Sequence, residues 1–334
     1  MALALLAIGC SKSKEDAPKA APDRGTPPPI PSNDDAIPHV VVSIDWEGAY
    51  FRSEALDAME KFREDHPGVP LTHMITAAYY TKPNADPVDA TREIRLAVKK
   101  GDEVGLHVHP WKSLVEAAGV KPRLTPSFLS RENKLIEFED DIGFDVDLSA
   151  YTVAELRAIF KKSRELFEAE KIKVGTTFRA AGCLGTPNVL EAARAEGYTI
   201  DSSAIDPAWL DEPEVVYMQE RMRKLWPRVV KTTQPYWIDT PAGKILEVPD
   251  NGALADYTQP AEIVEHIEMA AASAKASGKP AIVVLGFHAE TADEFAPRLV
   301  QALATLREKK VPMAFETMSA AAELAKKTQP LTPP

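Results

Sequence analysis

Glu103-Val104-Gly105-Leu106-His107-Val108-His109-Pro110-Trp111 is the stretch on which the reading of the fold turns. It follows Lys100-Gly101, a pair that stops a helix, and opens with a short apolar run. That pattern reads as a buried strand entering a loop. Residues two apart in a strand face the same way, so His107 and His109 project together from its end. Pro110 has no N–H to give the ladder and closes it. The spacing alone leaves two readings open: a pair of metal ligands, or one packed imidazole and one solvated one.

Upstream, Val40-Val41-Val42-Ser43-Ile44 is a β-branched run of the kind buried on both faces of a parallel sheet, and it ends in Asp45-Trp46-Glu47-Gly48. Residues 53 to 65 read as a helix with Ser53 as N-cap, 71 to 77 as a strand, and 87 to 100 as a helix capped by Asp86 with Pro87 at its first position. Downstream, 111 to 151 is an excursion rich in Asp and Glu between 137 and 147. It lacks EF-hand spacing and is expected to be a solvated loop or a flap. A capping box at Thr152 and Glu155 opens a helix to 171. Strands follow at 174 to 178, 198 to 200, 245 to 248, 281 to 287 and 311 to 315, with helices at 187 to 196, 260 to 277, 294 to 309 and 319 to 326. Residues 204 to 243 read as irregular. Repeated strand–helix alternation argues for βα units, and hence an α/β fold: a distorted (β/α) barrel of about 7–8 parallel strands.

The chain has 334 residues, 45% hydrophobic and 27% charged, with a formal net charge of -11. Such an acidic chain gains nothing from neutralising phosphates, so nucleic acid is not an expected partner. Two cysteines, Cys10 and Cys183, offer no disulfide framework. Residues 1 to 10 read as a lipoprotein signal segment: an apolar run too short to span a bilayer ends in Ala7-Ile8-Gly9-Cys10, which resembles a bacterial lipobox. The positive charge that normally precedes such a run is missing. Lipidation of Cys10 would put the protein on the membrane, in the bacterial cell envelope, on its periplasmic or extracellular side. Residues 11 to 38 are a Pro-rich linker, 39 to 326 the folded domain, and 327 to 334 a tail.

Asp45, Glu47, His107, His109, Arg179, Asp201 and His288 all fall at or just past the C-terminal ends of expected strands. In a β/α barrel these ends share the face that carries the chemistry.

Five places, in order, resemble the polysaccharide deacetylases with a NodB homology domain (carbohydrate esterase family 4): Ser43-Ile44-Asp45-Trp46-Glu47, Glu103 to Pro110, Phe178-Arg179-Ala180-Ala181-Gly182, Asp201-Ser202-Ser203 and Leu285-Gly286-Phe287-His288. The likeness spans roughly 39 to 326. Two departures touch the metal site. The family's adjacent aspartates are here Asp45 and Glu47, separated by Trp46, and its histidines, usually four apart, are two apart.

The resemblance implies a NodB-like barrel and a metal-dependent hydrolase that removes N-acetyl or O-acetyl groups from a cell-wall or extracellular polysaccharide. The implied cofactor is a divalent metal, with Zn²⁺ first, held by Glu47, His107 and His109. Such an ion lowers the pKa of bound water from about 15.7 to about 7 and polarises the carbonyl. Asp45 is the implied base, kept ionised by Arg179, although Asp45 and Glu47 could exchange roles. His288, from the opposite side, is the implied acid, and such help is worth about 10²- to 10⁴-fold. Trp111, Asp201 and Trp237 are expected to meet an N-acetylated glycan. Two other readings stand beside this one: a glycan-binding lipoprotein without activity on the same fold, and another metal-dependent amidohydrolase. In amidohydrolases the His-x-His pair lies on the first strand, not the third.

Overall fold

The structure, a computed structural model, describes residues 36–138, 140–211 and 216–334. The signal segment and almost all of the linker therefore lie outside the described residues.

The strands are β1 (Pro38–Trp46), β2 (Leu71–Ile75), β3 (Glu103–Val108), β4 (Thr177–Ala180), β5 (Ile200–Asp201), β6 (Tyr236–Thr240), β7 (Gly243–Glu247), β8 (Ala281–His288) and β9 (Ala314–Phe315). They form one sheet in the order β6-β7-β5-β4-β3-β2-β1-β8, with β9 beside the start of β1. Every pairing is parallel except the β6–β7 hairpin. The helices are α1 (Ser53–Asp65), α2 (Pro87–Ala97), α3 (Lys112–Ala117), α4 (Val153–Ala169), α5 (Pro187–Ala195), α6 (Val216–Leu225), α7 (Pro260–Ser277), α8 (Ala292–Glu308) and α9 (Met318–Thr328). This is the expected α/β architecture, a curled barrel of mostly parallel strands.

The alternation of side chains sorts the core into two parts. Val40, Val42, Ile44 and Trp46 of β1 face outward into the large cluster under the helices. Val41 faces inward and joins Ile282, Val284, Leu246, Val248 and Ile200 in a second cluster, which α9 closes with Met318, Ala321, Ala322 and Ala325. One end of the barrel is thus plugged by α9, and the C-terminal strand ends are left to form a site at the other.

β8 and β6 are the two ends of the ladder, and side-chain amides cover the edge of β8. Asn251 accepts from the Val284 N–H at 3.0 Å and donates to the Ile282 carbonyl at 2.9 Å. Gln234 accepts from the Ile282 N–H at 2.7 Å. An exposed edge would otherwise carry unpaired backbone groups.

Three local readings are corrected. Arg52, not Ser53, is the N-cap of α1, and it makes no side-chain capping bond. The stretch 204 to 243 is not irregular throughout: it contains α6 and the edge strand β6. The 111 to 151 excursion is not simply solvated. Asp145 is buried and accepts from Ser127 Oγ at 2.5 Å and the Ile136 N–H at 3.0 Å, so its charge organises the loop from within.

Candidate metal and catalytic site

Glu47, His107 and His109 converge at the open end of the barrel. β3 ends at Val108, with His107 facing the interior and Val108 the core. His107 Nε2 lies 3.2 Å from Glu47 Oε1, and His109 Nε2 lies 2.6 Å from Glu47 Oε2. The two Nε2 atoms are 3.1 Å apart. Each Nδ1 faces a backbone carbonyl: His107 that of Arg179 at 2.9 Å, His109 that of Phe144 at 2.7 Å. A carbonyl only accepts, so each Nδ1 carries the proton and each Nε2 presents its lone pair inward. Two imidazole nitrogens and a carboxylate this close together are held by a cation among them, a proton or a metal ion. Carbonyl-fixed tautomers are also the usual second shell of histidine ligands. The donor set therefore fits a metal ion, and these three residues form a buried group able to hold one.

With no metal in place, the same cluster draws protons. Burial works against the Glu47 charge, but His109, His107 and His288 outweigh it and hold the carboxyl well below the usual range. Burial also works against protonation of His107, yet Glu47 and Asp45 raise its pKa. The site is short of positive charge.

The Asp-x-Glu spacing follows from the same alternation as His-x-His. Asp45 faces inward, Trp46 turns into the core and donates to His73 Nδ1 at 3.1 Å, and Glu47 faces inward again. Gly48 then turns the chain with φ +82°, where a Cβ would sit 2.6 Å from Thr76 Cγ2. Glu290 gathers the turn, accepting from the N–H groups of Glu47 (3.2 Å), Gly48 (3.0 Å) and Ala49 (3.2 Å) and from Tyr79 OH (2.7 Å).

Arg179 reaches across the barrel interior from β4. It donates to Asp45 Oδ1 at 2.8 Å, Ser43 Oγ at 3.0 Å, the Ser202 carbonyl at 2.9 Å and Ser202 Oγ at 2.9 Å, with Asp250 at 3.9 Å. Burial opposes its charge, but Asp45 and Asp250 more than offset that and raise its pKa. Arg179 does not line the pocket. It is a positioning residue for Asp45 rather than a catalytic group.

His288 ends β8 and is the register partner of Asp45 on β1. Asp45, Glu47 and His288 each offer an atom within 4.8 Å of the others, so the expected acid stands beside the expected base and not opposite it. His288 Nδ1 lies 2.8 Å from Asp256 Oδ1. Burial opposes its charge, but Asp256, Glu47 and Asp45 push its pKa up to about 10.

Trp111, Asp201 and Trp237 are not brought to the pocket. Trp111 is fully buried behind Glu47, donates to its carbonyl at 2.8 Å and carries Lys82 3.8 Å above its ring. Ile200 joins the barrel cluster, so its neighbour Asp201 faces the other way, beside Glu247 of β7. Trp237 packs at the α9 end of the barrel, with Lys326 5.9 Å from its ring.

Four contributors are absent from the sequence reading: Asp256, Asp250, Glu290 and Phe144. Asp250 follows the strand expected at 245 to 248 and so sits at a strand end, where the barrel rule places functional residues. Phe144 acts through its carbonyl and by stacking on His109 (4.3 Å between centroids, 2° between planes). No side-chain pattern announces a carbonyl. Gly143 lets the excursion dock there: its φ is +101°, and a Cβ would meet the Pro110 carbonyl at 2.8 Å.

No family model and no curated protein sequence matches this chain. Solved structures do. A candidate polysaccharide deacetylase from Mycobacterium smegmatis aligns with TM-score 0.54 and 14% identity over 96% of this chain and 97% of that one. A second, from Pseudomonas aeruginosa PAO1, gives 0.50 and 14% over 92% and 97%. Puue allantoinase gives 0.50 and 14% over 95% and 100%. The chain therefore has the fold of these deacetylase- and allantoinase-type structures.

Proposed function

We propose that this protein is a metal-dependent hydrolase that removes an N-acetyl, or O-acetyl, group from a carbohydrate of the cell envelope. The observation that carries the reading is the convergence of three inward-facing donors, Glu47, His107 and His109, beside Asp45 and His288, each with its own buried partner. The shared fold supports it, because two of the similar structures are candidate polysaccharide deacetylases.

Glu47, His107 and His109 would hold the metal, with Zn²⁺ the first choice for a nitrogen–oxygen set. Bound there, it would polarise the acyl carbonyl and make water more acidic. Asp45, aimed by Arg179, which Ser43 helps to hold, takes the proton from the attacking water. His288 carries its proton through neutral pH, braced by Asp256, and gives it to the departing amine. The nearly complete burial of these side chains (Asp45 4%, Glu47 5%, His107 2%, His109 1% and His288 8% exposed) keeps bulk water from damping their charges.

The lipobox at Cys10 and the linker after it belong to the same proposal, holding the domain at the envelope; mass spectrometry of the N-terminal peptide tests that part. Acetate release from N-acetylated sugars by the zinc-loaded protein, against a Glu47→Gln variant, tests the hydrolase. Release that Glu47→Gln abolishes is expected. No release from any substrate, with binding retained, would instead favour a glycan-binding protein.

A further inference from the structure

We infer that Tyr257 is a further catalytic residue, whose phenol O–H donates a hydrogen bond to the acyl oxygen of the substrate as negative charge gathers there. The inference rests on the hydrolase reading above.

Place and freedom carry it. Tyr257 lines the same cavity as Asp45, Glu47, His107, His109 and His288. Its ring stands edge-on to the His288 imidazole, with 6.1 Å between centroids and 89° between planes. Its hydroxyl has no hydrogen-bond partner among the described residues, and it is not sealed in. A buried tyrosine hydroxyl usually finds a partner. Burial raises its pKa well above the usual phenol value, and the charges of Asp256, Cys183, Glu47 and Asp45 add to that. The hydroxyl therefore sits among the reacting groups and stays a donor through neutral pH.

The backbone under it is fixed. The Ala255 N–H donates to the Gly286 carbonyl of β8 at 2.7 Å, and the Tyr257 N–H to the Leu254 carbonyl at 2.9 Å. Arg298 Nη1 donates to the carbonyls of Ala255 at 2.9 Å and Thr258 at 3.2 Å. Asp256, one residue earlier, braces His288. One short segment thus positions both the acid and the phenol before substrate arrives, and donors set in place beforehand stabilise developing charge best.

The chemistry of the lining decides which substrate atom the phenol meets. The site is rich in carboxylates, to which the hydroxyls of a sugar can donate, whereas the acyl oxygen only accepts. The side-chain donors around it are largely committed. His107 and His109 face backbone carbonyls through Nδ1, Thr291 Oγ1 donates to Asp256 at 2.9 Å, and Gln259 is exposed at the rim. His288 serves the leaving group, and the Cys183 thiol is a weak donor. In the step itself, the water oxygen bonds to the acyl carbon and its proton goes to Asp45. The electron pair of the C=O bond moves onto the acyl oxygen, where the Tyr257 O–H meets it. When that pair returns, the C–N bond breaks and the nitrogen takes the proton of His288. Tyr257 keeps its own proton throughout.

The test is Tyr257→Phe in the zinc-loaded protein, which keeps the ring against His288 and removes only the hydroxyl. Acetate release from an N-acetylated sugar is measured beside zinc content and Tm. The inference expects kcat to fall about 10²- to 10³-fold, with KM, zinc content and Tm close to native. A kcat within about twofold of native, or a loss carried by KM alone, would overturn it and leave the hydrolase reading intact. So would a loss of activity that tracks a loss of zinc or a fall in Tm, which would make Tyr257 a structural residue. No acetate from the native protein would overturn both.

Discussion

Arg179 offers the sharpest test of how the site is held together. Its guanidinium makes four hydrogen bonds inside the barrel, one of them to the carboxylate of Asp45. Replacing it with methionine fills a similar volume but leaves Asp45, 4% exposed, without its cation. Removing one partner of a buried pair costs about 3–5 kcal/mol. At about 2–4 °C per kcal/mol, Tm should fall by roughly 6–20 °C. Asp45→Asn is the milder change, because Arg179 keeps Ser43, Ser202 and Asp250 at 3.9 Å. About 1–3 kcal/mol is expected there. In the double variant neither charge is stranded, so its loss should fall short of the sum of the singles by about 2 kcal/mol. Urea unfolding followed by tryptophan fluorescence reads this directly, since Trp46 and Trp111 are buried in the folded protein. Losses that add to within about 0.5 kcal/mol would mean the two residues do not interact, and the positioning role of Arg179 would be wrong.

Other consequences are as specific. Asp256→Asn should lower kcat by about 10²- to 10⁴-fold. It should also move the alkaline limb of the kcat profile down, because protonated His288 is held up to about 10 chiefly by Asp256 against burial, and its proton is lost as pH rises through its pKa. An unmoved limb would separate His288 from the proton transfer. Burial, with Lys231 adding to it, lowers the His266 pKa to about 4, and neither ring nitrogen has a hydrogen-bond partner. The unfolded chain therefore takes up this proton first as pH falls. Stability from this group is whole above about 6.5 and drains between there and about 4, by up to ~3 kcal/mol. His266→Leu should flatten the fall of Tm between pH 7 and 5; an equal fall in both proteins would contradict it. Gly143→Val forces the excursion off Pro110 and takes the Phe144 carbonyl from His109. Competition with a chelator should show metal affinity weaker by about 10- to 100-fold, and unchanged affinity would remove Phe144 from the site's support.

What the sequence disclosed and what it hid have physical causes. β1, β3 and β8 stand out because buried parallel strands are continuous apolar runs, and the bounds of α1 and α7 follow from the Pro and Gly residues that frame them. β4 was placed early, at 174 to 178 instead of Thr177–Ala180. A charged Arg179 does not look like strand interior, and only partners from β1 and the Ser202 turn make it tolerable there. β6 is a half-exposed edge strand and α6 is highly charged, so neither has a strong period. In the site, Asp45, Glu47, His107, His109 and His288 were legible from their places at strand ends, while Asp250, at another strand end, was not. Of the residues that hold them, Arg179 was legible and the others were not. Asp256 and Glu290 act from loops whose path depends on tertiary packing, and the groups that set both histidine tautomers are carbonyls.

The metal site is the central claim, and elemental mass spectrometry of residues 37 to 334 tests it most directly, with loosely held metal removed first. The native domain should retain about one equivalent of a divalent metal, and a His107→Ala/His109→Ala variant almost none. No metal in either protein, even after zinc is added back, would contradict the account, because Glu47, His107 and His109 would then be held by protons alone.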